Sequence, residues 1–128
     1  MTKGQRAAQI WAVLALCARQ RQVLSYDILA RMIGVPRPGL GQLLEPIQSY
    51  CILNRLPALS SLVVSEKTGL PGEGFIAASD VPAAQAATFV KDWLAEQVPT
   101  DEDLEHAATV LPSNGQSLMD LLAKAGAR

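Results

Sequence analysis

Two short helical segments followed by a strand–turn–strand predict a mainly α chain with a small β-hairpin. The plan is a winged helix-turn-helix core with additional C-terminal helices. Three observations carry this expectation. Ser25 can cap a helix that buries Ile28, Leu29, Met32 and Ile33 and stops at Gly34. Leu40, Leu43, Leu44, Ile47, Tyr50, Cys51 and Leu53 recur with helical spacing through residues 39–53. Residues 61–65 read as a strand, 66–69 as a turn and 74–77 as the return strand.

The remaining elements follow in order. Thr2 can cap a first helix running from Lys3 to about Gln20, with Ala7, Ile10, Trp11, Leu14, Ala15, Cys17 and Ala18 on one stripe. Arg19 and Arg21 close it with a cationic turn, which suits the helix dipole and equally suits a phosphate contact. Val35, Pro36, Arg37 and Pro38 form a stiff turn before the third helix. Pro46 inside that helix predicts a kink or a split into two short helices. Gly41 on its outer face permits close approach, either of another helix or of an external surface.

Asp80 can cap a fourth helix from near Pro82 to Val98, with Ala83, Ala86, Ala87, Phe89, Val90, Trp93 and Leu94 as a broad apolar face. Thr100 and Asp103 have the form of a capping box for a fifth helix. After the break at residues 112–115, Leu118, Leu121 and Leu122 define a final amphipathic helix for docking on the core or on a second subunit. The domain reading is a winged-helix domain at 1–98, with helix-turn-helix 25–53, wing 61–77 and packing helix 82–98. A C-terminal helical extension occupies 99–128.

Composition narrows the class. Apolar residues make up 49% and charged residues 18% of 128, which is a globular mix with room for one core. The apolar run at 10–18 is far shorter than the ~20 residues that span a bilayer. Arg19, Gln20, Arg21 and Gln22 follow it in place of a signal cleavage site, so a cytoplasmic protein without membrane contact is expected. Cys17 and Cys51 lie in apolar helical patterns and read as free buried thiols. Two cysteines and one histidine cannot complete a four-ligand structural zinc site, and no metal or cofactor is expected.

Charge is unevenly spread. Residues 1–73 hold eight basic and four acidic side chains, a net of +4, whereas residues 74–128 hold three and eight, a net of −5. A basic half attracts phosphate. The cluster Asp101, Glu102, Asp103, Glu105 and His106 has carboxylates enough to suggest a metal, but a helix start explains it better.

Residues 25–75 resemble the C-terminal DNA-binding domain of the alkylguanine-DNA alkyltransferases and alkyltransferase-like proteins. Ser25-Tyr26-Asp27-Ile28-Leu29-Ala30 and Gly34 stand where that family has Thr-Tyr-Gly-Glu-Leu-Ala and a glycine. Leu40-Gly41 matches the Val-Gly pair of its recognition helix. Asn54-Arg55-Leu56-Pro57 echoes its Asn-Pro-x-Pro turn, and Val63-Val64 with Gly72-Glu73-Gly74-Phe75 echoes its strand and Gly-rich return. The resemblance implies a winged helix that binds double-stranded DNA. The departures are chemical. Pro57-Ala58-Leu59-Ser60-Ser61 replaces the alkyl-accepting Pro-Cys-His-Arg, no cysteine follows Ile52, and Pro38 stands where the family inserts an arginine into the duplex.

The expected function is therefore non-enzymatic DNA binding, as in a small bacterial or phage regulator of transcription. Arg37, Gln42 and Gln48 would face bases or phosphates. Ser25, Tyr26 and Arg31 would hold the backbone, with Lys67 touching it from the wing. The alternative is a protein-interaction module on the same scaffold, encoded by a phage or mobile element, with a partner protein or a second copy as its target. An enzyme would need a nucleophile, metal cluster or acid–base pair, and none is marked by spacing.

Overall fold

The computed structural model describes residues 1–72, 75 and 79–112. These form a mainly α structure of five α-helices and one two-stranded sheet. In α1 (Lys3–Arg19), the Thr2 hydroxyl accepts the Gln5 N–H and the Gln5 side chain accepts the Thr2 N–H, a complete capping box. The helix ends on Arg21 in the left-handed region at φ 56°. There the Arg21 and Gln22 N–H groups bond back to Ala18 and Cys17 carbonyls. Ala7, Ile10, Trp11, Leu14 and Ala18 form the buried stripe.

Strand β1 (Leu24–Ser25) runs directly into α2 (Tyr26–Ile33), capped by the Ser25 hydroxyl and stopped by Gly34 at φ 73°. Arg6 donates to the Ile33 carbonyl and ties the end of α2 to α1. A 3-10 turn, Arg37–Gly39, leads into α3 (Leu40–Leu53). A second 3-10 turn, Leu59–Leu62, precedes β2 (Val63–Val64), which pairs in parallel with β1 in the register Leu24 to Val63 and Ser25 to Val64. Helices α4 (Val81–Val90) and α5 (Asp101–Val110) follow. Helix α5 packs on both α1 and α3, burying Leu104, Ala107 and Leu111. Its Thr100–Asp103 capping box is fully formed, and the buried Ser49 hydroxyl donates to the Leu111 carbonyl at 2.7 Å.

Trp11 sits at the centre. Tyr50 from α3 meets its ring edge-on at a centroid distance of 5.5 Å, and Trp93 from the segment after α4 does so at 5.6 Å.

Several expectations are corrected. Helix α3 runs unbroken from Leu40 to Leu53 with Pro46 buried inside it, so it is not split into two short helices. Ile28 and Met32 face solvent; only Leu29, Ala30 and Ile33 of α2 are buried. The fourth helix ends at Val90, not near Val98, because Trp93 turns back into the core and donates its indole N–H to the Thr88 carbonyl at 2.8 Å. Val90 and Leu94 are consequently exposed, and Thr88 alone of α4 is buried. The strand at 61–65 is shorter than expected, since Leu59–Leu62 form the 3-10 turn. The chain reverses at 66–69 as anticipated, closed by Gly69 N–H to Ser65 O and Ser65 N–H to Leu70 O. The return strand at 74–77 falls outside the described residues, apart from Phe75, which is not in a strand. The final helix around Leu118, Leu121 and Leu122 also lies outside them.

Gly4 and Gly41 respond oppositely to a methyl group. A Cβ on Gly4 would stand 2.5 Å from the Asp101 carbonyl oxygen, whereas one on Gly41 meets nothing within 4 Å. Gly4→Ala is expected to lower stability by about 1–3 kcal/mol through overpacking. Gly41→Ala is expected to raise it by about 0.5–1 kcal/mol through helix propensity. Urea unfolding followed by circular dichroism checks both.

Candidate nucleic-acid interface

The start of α3 and the turn before it form an exposed surface. Arg37, Pro38, Gly39, Gly41 and Gln42 are all solvent-facing, and a Cβ on Gly39 or Gly41 would meet no atom within 4 Å. Close helix packing therefore does not account for Gly41. The inward side of the same helix carries Leu40, Leu44, Ile47 and Cys51. Gln48 belongs to that inward side, at 5% exposure. The expectation that it reaches a base or phosphate is corrected: six residues on from Gln42, at about 100° per residue, it falls on the buried side of α3.

The α2 residues are arranged around Tyr26. Its hydroxyl accepts the Gly72 N–H at 2.7 Å, which holds the segment after the turn at 66–69 against α2. The hydroxyl proton is not used in that bond and can still donate. Arg37 lies with its guanidinium carbon 5.6 Å from the Tyr26 ring centroid, and its Nε donates to Asp27 Oδ1 at 2.9 Å. Ser25 is the helix cap, accepting the Ile28 N–H, and its own O–H donates to Glu66 Oε1 at 3.0 Å. That leaves Ser25 no donor for a phosphate, so its role here is to position α2. Arg31 and Lys67 are exposed, Lys67 at the tip of the turn.

The fold thus brings together Tyr26 and Arg37, with Ser25 next to Tyr26 in sequence. Sequence reasoning did not foresee Asp27 as the partner of Arg37. Its acidic character was legible, but its meeting with Arg37 depends on the reversal at Gly34–Pro36. Acids also stand among these residues: Asp27 pairs with Arg37, and Glu66 accepts from Ser25.

Other chemistry-bearing groups have structural surroundings. Burial pushes the Cys51 thiol up to about 12, against smaller opposing effects from a Leu59 backbone hydrogen bond and Lys91. Cys17 is half-buried and also raised by desolvation, and both thiols are free. Ser60 and Ser61, in the stretch replacing the alkyltransferase motif, are buried at 5% and 0% exposure. Glu105 accepts the Gly4 N–H at 3.1 Å and Asp103 caps α5, so two carboxylates of the acidic run serve helix ends. Among the described residues no three His, Cys, Asp or Glu side chains are grouped as a metal site. No helix among them is long and apolar enough to cross a membrane. A shallow cleft of about 310 Å³ lies at the opposite end of α3, where Tyr50, Asn54, Gln97, Asp103 and His106 converge. Burial, and then the nearby Asp103, raise the Tyr50 hydroxyl above its ordinary value, keeping it neutral.

Comparison with protein-family models, with curated proteins and with solved structures gives no match.

The Cys51 environment generates a prediction. Its folded value exceeds the ordinary 9.0, so the stability held in the neutral thiol is complete below pH 9.0 and is lost as pH climbs toward about 12. A Cys17→Ser protein is expected to take up no iodoacetamide at pH 8 until urea unfolds it, as mass spectrometry would record.

Proposed function

We propose that this chain is a non-enzymatic, winged-helix DNA-binding protein of the cytoplasm, which sets the start of α3 against a duplex. The observation that carries the reading is the uncovered surface at Arg37, Gly39, Gly41 and Gln42. Two glycines without overlying atoms let a helix start approach a sugar–phosphate backbone closely, while an arginine and an amide side chain stand beside them. Arg37 supplies a phosphate or guanine contact, and Gln42 a base-edge contact. Arg31 adds charge from α2, and Lys67 from the turn tip. The tyrosine hydroxyl of Tyr26 donates to the phosphate next to Arg37. The resemblance of residues 25–75 to alkyltransferase DNA-binding domains points the same way. The absent cysteine motif makes recognition, not alkyl transfer, the activity.

One observation favours a second reading. Ile28 and Met32, one helical turn apart on α2, are 48% and 59% exposed. An apolar pair on an otherwise polar helix face suits a protein partner. On that reading the scaffold is an interaction module and DNA is not bound.

Fluorescence anisotropy with a random-sequence duplex separates the two. Binding at low salt that weakens steeply as salt rises supports the DNA reading. Arg37→Ala and Lys67→Ala should then each lower the log–log salt slope by about one. Absence of binding at low salt overturns it and directs attention to Met32→Asp in partner-binding assays.

A further inference from the structure

Arg37 is held from three sides. Pro36 and Pro38 flank it, and each ring removes backbone freedom, with Pro36 fixed at φ −64° and ψ 139°. The Tyr26 ring lies under the guanidinium, and Tyr26 is itself anchored through its hydroxyl to the Gly72 N–H. Asp27 takes the Nε–H at 2.9 Å. An arginine has five N–H donors in a rigid fork. Engaging Nε leaves the four on Nη1 and Nη2 outside that bond, at the far end of a side chain that is half-exposed.

Asp27 also carries a negative charge next to the surface offered to phosphate. By charge alone it should weaken nucleic-acid binding. An exposed pair of this kind contributes little to stability, so the fold does not require it. Its distinctive effect is geometric: it fixes the plane of the guanidinium before any ligand arrives.

We propose that Asp27 is a positioning residue for DNA recognition, orienting Arg37 so that its Nη edge meets the duplex already ordered. The proposal rests on the DNA-binding reading above. Ordering a long side chain in the free protein removes that entropy cost from binding. Asp27 touches no ligand; it acts through Arg37.

The test uses Asp27→Asn and Asp27→Ala, each alone and combined with Arg37→Ala. Both substitutions delete the same charge, but only asparagine keeps an oxygen to accept the Nε–H. Anisotropy with a random-sequence duplex at low salt should show Asp27→Ala binding roughly two- to ten-fold more weakly than Asp27→Asn. The gap should close in the Arg37→Ala background. Equal affinities for the two variants, with wild type binding normally, overturn the positioning role and leave the DNA reading intact. A wild type that binds no duplex overturns both. A second readout needs no DNA: the Arg37 Nε–H resonance should be protected from solvent exchange in wild type and Asp27→Asn, and lost in Asp27→Ala. An unprotected Nε–H in wild type also overturns the proposal.

Discussion

The structure depends on the burial of one indole. Trp11, 1% exposed, is met edge-on by Tyr50 and by Trp93, so a single ring joins α1, α3 and the segment after α4. The edge-to-face arrangement matches the positive ring edge to the negative ring face, adding direction to apolar burial. Trp93 reaches this position only by ending α4. Its indole N–H then satisfies the Thr88 carbonyl, which the helix terminus would otherwise leave without a partner. The Thr88 hydroxyl lies 2.7 Å from the Ala84 carbonyl of its own helix and 3.2 Å from the Ala58 carbonyl, which brings α4 against the stretch ahead of β2.

That core explains why the start of α3 is uncovered. Helix α5 packs along α1 and α3, and its C-cap residue Leu111 accepts the Ser49 hydroxyl in the C-terminal half of α3. The cleft at Tyr50 and Asn54 lies at the C-terminal end. Nothing described packs over Gly39 or Gly41. Asp27 pairs with Arg37, and Glu66 accepts from Ser25, so acidic side chains offset basic charge around α2. In the Asp27–Arg37–Tyr26 arrangement the guanidinium lies between a carboxylate and an aromatic ring.

Much of the fold was legible because helix starts are local chemistry. Thr2, Ser25, Asp80 and Thr100 each satisfy N–H groups within three residues of themselves, so short stretches of sequence identify them. Helix ends and faces were less legible. Ala83, Ala86 and Ala87 read as a core face, yet alanine is equally at home on an exposed helix surface, where helix propensity alone favours it. Gln48 stands one helical turn from the buried Leu44 and Cys51, yet its polar side chain reads as an outward-facing residue, and only the docking of neighbouring elements placed it inside.

By itself, the sequence determined the helical class, the cap positions, the stripe from Ala7 to Ala18 and the reversal at residues 66–69. Each of these rests on contacts between residues close in the chain. Tertiary structure alone decided the parallel pairing of Leu24–Ser25 with Val63–Val64, the early end of α4, the exposure of Ile28 and Met32, and the meeting of Asp27 with Arg37. These are contacts between distant segments, or choices between two permissible helix faces. Their outcome follows from how the elements pack around Trp11, which no local pattern encodes.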